Sequence, residues 1–396
     1  MTRIAIVAGE ASGDMLGAGL MRALKARWPD AQFYGIAGPK MIAEGARSLF
    51  PMEKLSVRGY VEVLKSVPSL FAMRRALGSR ILDDKPDLFI GVDAPDFNLG
   101  LEARLKAGGI RTIHYVSPSI WAWRAERIHA IGRSVDHMLV LLPFEEAIYR
   151  KAGIPVTFVG HPLADEMPLE PDRREARVQL RLATHAPVVA LLPGSRLNEL
   201  EVHADLIIAT ARELQARRPE LRFVVPLATR ETRDYFESRL YALEARELPI
   251  TILFGHARLA LHAADVALVA SGTATLEAAL ARCPMVITYR LNPITYRMVK
   301  RKALLPYAGL PNILAGEFIV PELLQEHATP SNLAQALLNW LDNKEAREAL
   351  RRRFAAMHDA LARGHDLRVA DALAPYLAKP RPAAEAARSL AHAGGR

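Results

Sequence analysis

Leu191-Leu192-Pro193-Gly194-Ser195-Arg196 closes an apolar run and opens a long helical stretch near mid-chain, and it has a counterpart at the start of the chain. There Ile4-Ala5-Ile6-Val7-Ala8 leads into Gly9-Glu10-Ala11-Ser12-Gly13-Asp14 and then a helical stretch from Met15 to Arg27. A strand, a turn of small residues and a helix start form an anion-binding element, because backbone N–H groups and the positive helix end face the turn. This chain contains the element twice. Neither turn has the spacing of a dinucleotide fingerprint or a P-loop.

Outward from these turns, apolar strand-like runs alternate with helical patterns at 3–8, 32–36, 87–92, 110–116, 137–142 and 156–159. After a stretch rich in proline and charge, from Gly160-His161-Pro162 to Glu170-Pro171, they resume at 187–192, 222–226, 250–254, 266–270 and 284–288. This rhythm predicts α/β architecture: two Rossmann-like, doubly wound domains with parallel sheets, facing each other across a ligand cleft. The expected divisions are an N-terminal domain over 1–165, a second domain over 166–345, and helices over 346–377 that pack back on the first. A disordered tail is expected over 378–396, where Pro380, Pro382 and many alanines stand.

Length supports two cores, since 396 residues exceed one ordinary domain. Hydrophobic residues at 51% and charged residues at 24% describe a globular chain, and no apolar run is long enough to predict a membrane span. No secretory signal is expected, because the chain enters a strand directly. A single cysteine, Cys283, excludes an internal disulfide framework and a thiolate metal cluster, and a cytoplasmic location is expected. The net charge of +9 predicts an anionic partner: nucleic acid, a phosphorylated substrate or an anionic membrane. Nucleic acid is disfavoured, because no aromatic-basic platform or reader motif is present.

Two further segments carry chemistry. Ala270-Ser271-Gly272-Thr273-Ala274-Thr275-Leu276-Glu277 is another strand-to-helix turn, in which Ser271 and Thr273 can cap the helix or expose its N–H groups to phosphate. Arg196, a fork donor at a separate turn of the same domain, favours the second use and points to a diphosphate. In the first domain Leu88-Phe89-Ile90-Gly91-Val92 delivers Asp93-Ala94-Pro95-Asp96-Phe97-Asn98 at a strand's carboxyl end. Asp93 is placed for general-base work, while Asp96 reads equally as base or helix cap. Glu10 and Asp14 are open between a site role and stabilisation of a helix start.

The ordered set Ala8-Gly9-Glu10-Ala11-Ser12-Gly13-Asp14, Asp93-Ala94-Pro95-Asp96-Phe97-Asn98, Tyr115-Val116-Ser117-Pro118-Ser119-Ile120-Trp121-Ala122-Trp123, Pro193-Gly194-Ser195-Arg196 and Ser271-Gly272-Thr273-Ala274-Thr275-Leu276-Glu277 resembles the lipid-A-disaccharide synthase family. Leu310-Pro311-Asn312-Ile313-Leu314 and Pro321-Glu322-Leu323-Leu324-Gln325 extend the likeness to about residue 377. The resemblance implies an inverting GT-B glycosyltransferase of lipid A biosynthesis. It would join UDP-2,3-diacylglucosamine to 2,3-diacylglucosamine 1-phosphate (lipid X), giving the β-1,6-linked disaccharide 1-phosphate and UDP. By that likeness Ser195, Arg196, Ser271, Gly272, Thr273, Glu277, Asn312 and Gln325 hold the UDP-sugar, and Asp93, with Glu10, is catalytic. No metal and no cofactor are expected, as no Asp-x-Asp pair or Cys/His cluster stands in the chain. A UDP-sugar epimerase of the same architecture and a non-catalytic nucleotide-sugar- or lipid-binding protein are the alternatives.

Residues 55–71 form a short apolar segment followed by Arg74, Arg75 and Arg80, with Val57, Val61, Leu64 and Val67 at helical spacing. Such a helix reads either as core or as an interfacial element by the acceptor site. Acylated substrates favour the second, with peripheral attachment to the cytoplasmic face of the inner membrane. A homodimer stays open.

Overall fold

The computed structural model describes residues 2–55 and 60–377, with the backbone alone for 60–67 and 293–294. Val57, the side chains of Val61, Leu64 and Val67, and the tail 378–396 lie outside the described residues. The chain divides into two compact units, Met1–Pro162 together with the stretch from Arg363, and Leu163–Ala362.

The first unit is built on seven strands: β1 (Arg3–Ala8), β2 (Gln32–Ile36), β3 (Arg47–Ser48), β4 (Leu88–Val92), β5 (Thr112–Tyr115), β6 (His137–Val140) and β7 (Val156–Phe158). They pair in parallel in the order β3-β2-β1-β4-β5-β6-β7. Ile4 to Ala8 are all fully buried, as a central parallel strand covered by helices on both faces must be. That double burial explains why β1 and β4 read as unbroken apolar runs rather than alternating ones.

The second unit repeats the plan with β8 (Val188–Leu192), β9 (Arg222–Leu227), β10 (Ile250–Phe254), β11 (Val266–Ala270), β12 (Met285–Tyr289) and β13 (Glu322–Leu324). Their order is β10-β9-β8-β11-β12-β13, again parallel. Two doubly wound parallel sheets are therefore observed. In each, strand order reverses next to the first strand, between β1 and β4 and between β8 and β11. Ligands of open α/β sheets bind outside the strands' carboxyl ends at that reversal, because the helices there diverge to opposite faces. Chain segments 9–14 and 93–98 flank one reversal, and 193–196 and 271–277 flank the other.

β3 and β13, with two and three residues, have no counterpart among the expected runs, since so few residues carry no periodicity. The C-terminal helices separate. Lys344–Leu361 belongs to the second unit, where His358 Nε2 lies 2.7 Å from the Ala164 carbonyl. His365–Leu377 packs on helix Ala11–Arg27 of the first unit with Val369 and Leu373 fully buried, and Tyr115 Oη meets His365 Nε2 at 2.6 Å. The crossing thus lies between Ala362 and Arg363, one helix later than sequence periodicity placed it.

Candidate functional site

In the second unit the turns after β8 and β11 line one cavity of about 220 Å³. Gly194, Ser195 and Glu199 come from the first turn; Ser271, Gly272, Thr273 and Glu277 come from the second; Pro226–Ala228 and Gly255 complete the wall. Helix Thr273–Leu280 starts at the cavity, so its first-turn N–H groups, which have no intrahelical partner, head into it. Gly194 adopts φ +126°, a left-handed-side conformation that strains any other residue, and this bends the chain sharply out of β8.

The two turns are not equivalent as anion sites. Glu199 Oε2 already accepts from Ser195 N at 2.8 Å and Arg196 N at 3.2 Å, a capping box that closes the start of helix Leu197–Arg217. The backbone donors read from sequence as phosphate ligands at Ser195-Arg196 are therefore engaged by an internal carboxylate. What this turn presents outward is the exposed Arg196 side chain. At the second turn Ser271 donates to the Ala308 carbonyl at 3.2 Å, anchoring the loop below the cavity. Burial raises the pKa of Glu277, with Arg258 opposing the shift. Glu199 carries a signal that sequence reading passed over: an acid three residues into a helix after a turn is a capping-box residue.

Asn312 and Gln325 stand behind this wall rather than on it. Asn312 is fully buried; its amide donates to the Val320 carbonyl at 3.0 Å and Glu322 Oε1 at 2.8 Å, and its oxygen accepts from Ile319 N and Val320 N. Gln325 clamps the backbone of Leu291, accepting from its N–H at 2.5 Å and donating to its carbonyl at 3.0 Å. Both side chains fix loops around β13.

In the first unit Asp93 leaves β4 with φ +51°, followed by Ala94 at φ +44°. Two successive left-handed residues are a costly conformation, held here because Asp93 N donates to the Tyr115 carbonyl at 2.8 Å and Asn98 Nδ2 donates to the Asp93 carbonyl at 2.8 Å. Asp93 is half-buried. Its carboxyl pKa is raised, first by burial and then by the neighbouring charge of Glu10, while His114 acts in the opposite direction. Glu10 stands at the start of helix Ala11–Arg27, where Ser12 Oγ donates to its Oε1 at 3.2 Å. The two proposed catalytic carboxyls are thus electrostatic neighbours at the β1/β4 reversal.

Other acids of these turns have structural work. Asp14 is buried and accepts from Lys40 N at 2.8 Å and Met41 N at 3.0 Å, capping helix Pro39–Ala43. Asp96 is exposed in the first turn of helix Pro95–Ala107 and pairs with Arg127 at 2.6 Å; the cap position itself is Ala94. Below Asp93, His114 Nδ1 and Glu102 Oε1 are 2.7 Å apart, with both side chains fully buried. Further along, Glu145 accepts from Trp121 Nε1 at 3.0 Å and Leu142 N at 3.1 Å, and burial pushes its pKa up to about 7. Neither acid is visible in sequence as more than a polar residue on a helix.

A family model described as lipid-A-disaccharide synthetase matches residues 4–371. A lipid-A-disaccharide synthase of Chromobacterium violaceum is 57% identical over 371 residues, covering 94% of this chain and 96% of the relative. One of Aromatoleum aromaticum is 58% identical over 376 residues, covering 95% of this chain and 96% of the relative. Among solved structures, a putative UDP-N-acetylglucosamine 2-epimerase from Listeria monocytogenes aligns with a TM-score of 0.63 at 13% identity over 96% of this chain and 98% of that one. An Anabaena protein in complex with UDP and glucose aligns with a TM-score of 0.56 at 15% identity over 96% of this chain and 100% of that one. At these identities the structural likeness speaks for the fold alone, the GT-B architecture that glycosyltransferases and epimerases share.

Proposed function

The chain belongs to the lipid-A-disaccharide synthase family, and from that premise we propose the reaction and the residues that carry it. It is a glycosyltransferase of lipid A biosynthesis. The donor is UDP-2,3-diacylglucosamine, the acceptor is lipid X, and the products are the β-1,6-linked disaccharide 1-phosphate and UDP. Asp93 takes the proton of the acceptor 6-hydroxyl as its oxygen attacks the donor's anomeric carbon from the face opposite the diphosphate. The bond from that carbon to the diphosphate oxygen breaks, UDP leaves with the electron pair, and the anomeric centre inverts.

The observation that carries this reading is a division of labour between the two sheet reversals. Phosphate-type turns lie at β8/β11, and a carboxyl made more basic by burial and by Glu10 lies at β1/β4. A base whose pKa is drawn towards neutrality transfers protons more effectively at physiological pH. The departing diphosphate is met by the Arg196 guanidinium and the first-turn N–H groups of helix Thr273–Leu280, with Ser195, Ser271, Gly272 and Glu277 shaping the donor cavity. Asn312 and Gln325 contribute by holding the loops behind it.

The chain acts as a peripheral protein at the cytoplasmic face of the inner membrane. Among the described residues no helix is long and apolar enough to cross a membrane. Helix Tyr60–Asp84 carries Phe71, which is 58% exposed, with Arg74 4.6 Å over its ring, an apolar-basic pairing suited to an anionic lipid interface. The test is UDP release from UDP-2,3-diacylglucosamine with and without lipid X. Release only when both are present supports the reading; release independent of lipid X overturns it.

A further inference from the structure

Three buried polar atoms beneath Asp93 make no hydrogen bond: Asn98 Oδ1, Glu102 Oε2 and His114 Nε2. They belong to one cluster on helix Pro95–Ala107 and β5. Leaving a buried polar group unpaired costs about 1–3 kcal/mol, so a fold retains such a cluster only where it serves something else. The backbone makes room for it. Gly91 pairs with His114 across the sheet, and a Cβ on Gly91 would stand 2.2 Å from Glu102 Oε1 and 3.0 Å from Asn98 Cβ. Glu102 reaches the sheet only because that position is glycine.

Every group in this cluster points towards the base. Asn98 holds the Asp93 carbonyl, and the β4–β5 pairing continues from Gly91–His114 to the Asp93 N–H on Tyr115. The Glu102–His114 contact holds one proton between two fully buried side chains. We propose that Glu102 and His114 form a proton-sharing positioning pair that favours the ionised form of the Asp93 carboxyl. The pair touches no substrate; it acts on Asp93 through its charge. It offsets Glu10, which faces Asp93 from the start of helix Ala11–Arg27 and opposes ionisation, as burial does. The remaining charges around the helix start are Asp96 with its partner Arg127, and Arg74, which donates to the Asp96 carbonyl from helix Tyr60–Asp84. His114 is the group in this set that reaches Asp93 from beneath the sheet end. A base tuned from both sides stays basic enough to take a proton yet ionised enough to accept one at working pH.

The inference rests on Asp93 being the base, and the experiment separates the two. In the full-length chain, His114→Gln and Glu102→Gln are compared with wild type by the pH dependence of turnover and by carboxyl-carbon NMR on isotope-labelled aspartate. The Asp93 resonance is assigned by its loss in Asp93→Asn. Either pair variant should move the Asp93 titration, and with it the acid limb of the turnover profile, up by about one pH unit, as removal of a nearby favourable charge does. Turnover above that limb should largely recover. A uniform fall in turnover at every pH, with the Asp93 titration unmoved, overturns the pair's role and leaves the base standing. A moved titration together with normal turnover of Asp93→Asn removes the base and leaves the pair. If His114→Gln does not fold, Glu102→Gln decides alone, since it keeps the imidazole in place and removes only its tether.

Discussion

Asp93→Asn separates catalysis from stability at one atom. The amide matches the carboxylate in shape, and asparagine tolerates the left-handed backbone that Asp93 adopts at φ +51°. Both backbone bonds that hold this turn, Asp93 N to the Tyr115 carbonyl and Asn98 Nδ2 to the Asp93 carbonyl, survive the change. The charge does not. Because the folded-state pKa of Asp93 is raised, the protonated carboxyl is the form that folding favours: its contribution is present below the unfolded pKa and is lost as pH rises through the folded one. At pH 8 the ionised side chain therefore opposes folding, and the neutral amide removes that cost. A tenfold change in an ionisation equilibrium corresponds to about 1.4 kcal/mol. With partial exposure discounted, the gain is of order 1 kcal/mol or less, which is about 2–4 °C in a unit of this size. Turnover should meanwhile fall by about two to four orders of magnitude, the range for a positioned acid–base group, with UDP affinity unchanged. The assays are UDP release at saturating substrates, calorimetric UDP titration and thermal unfolding at pH 8. Near-normal turnover refutes the assignment of the base; lost turnover with a large drop in unfolding temperature refutes the claim that the loss is chemical.

Arg196→Ala should weaken UDP by about 1.5–3 kcal/mol, the scale of a charge-assisted hydrogen bond, and unchanged calorimetric affinity would remove it from the donor site. Glu199→Gln should tighten UDP several-fold, because it keeps an acceptor for Ser195 N and Arg196 N while removing a negative charge from the cavity wall; weaker binding would mean that the carboxylate itself serves the nucleotide. The Glu145 carboxyl, raised to about 7 by burial, stabilises the fold at pH below its unfolded value near 4.5, and that contribution is lost between about pH 4.5 and 7. Glu145→Gln should flatten the decline in unfolding temperature across that window, and an unaltered slope would show that Glu145 does not titrate there.

The sheets were legible because a doubly covered parallel strand must be apolar throughout, and the runs at 32–36, 250–254 and 266–270 coincide with β2, β10 and β11. Residues at the reversals were legible for a related reason. Turns at strand ends follow directly from where the runs stop, so Asp93, Ser195, Ser271 and Glu277 stand out by position. What stayed hidden depends on partners distant in sequence. Glu102 and His114 are ordinary residues of a helix and a strand until β4 and β5 pair and Gly91 opens the space between them. The full engagement of Asn312 likewise depends on a loop that returns at 319–322, which no local pattern announces. Asp14 and Asp96 look alike in sequence as first-turn acids, yet one caps a neighbouring helix in the core and the other pairs with Arg127 at the surface.

The central claim is transfer of a sugar from a UDP donor onto a lipid acceptor with inversion, and the linkage of the product tests it most directly. Purified full-length protein would be incubated with UDP-2,3-diacylglucosamine and lipid X, UDP quantified, and the lipid product examined by mass spectrometry and proton NMR. The account predicts one UDP per new β-1,6 glycosidic bond and a retained 1-phosphate. A product epimerised within the UDP-sugar, an α linkage, or UDP released with hydrolysed sugar and no disaccharide would contradict it.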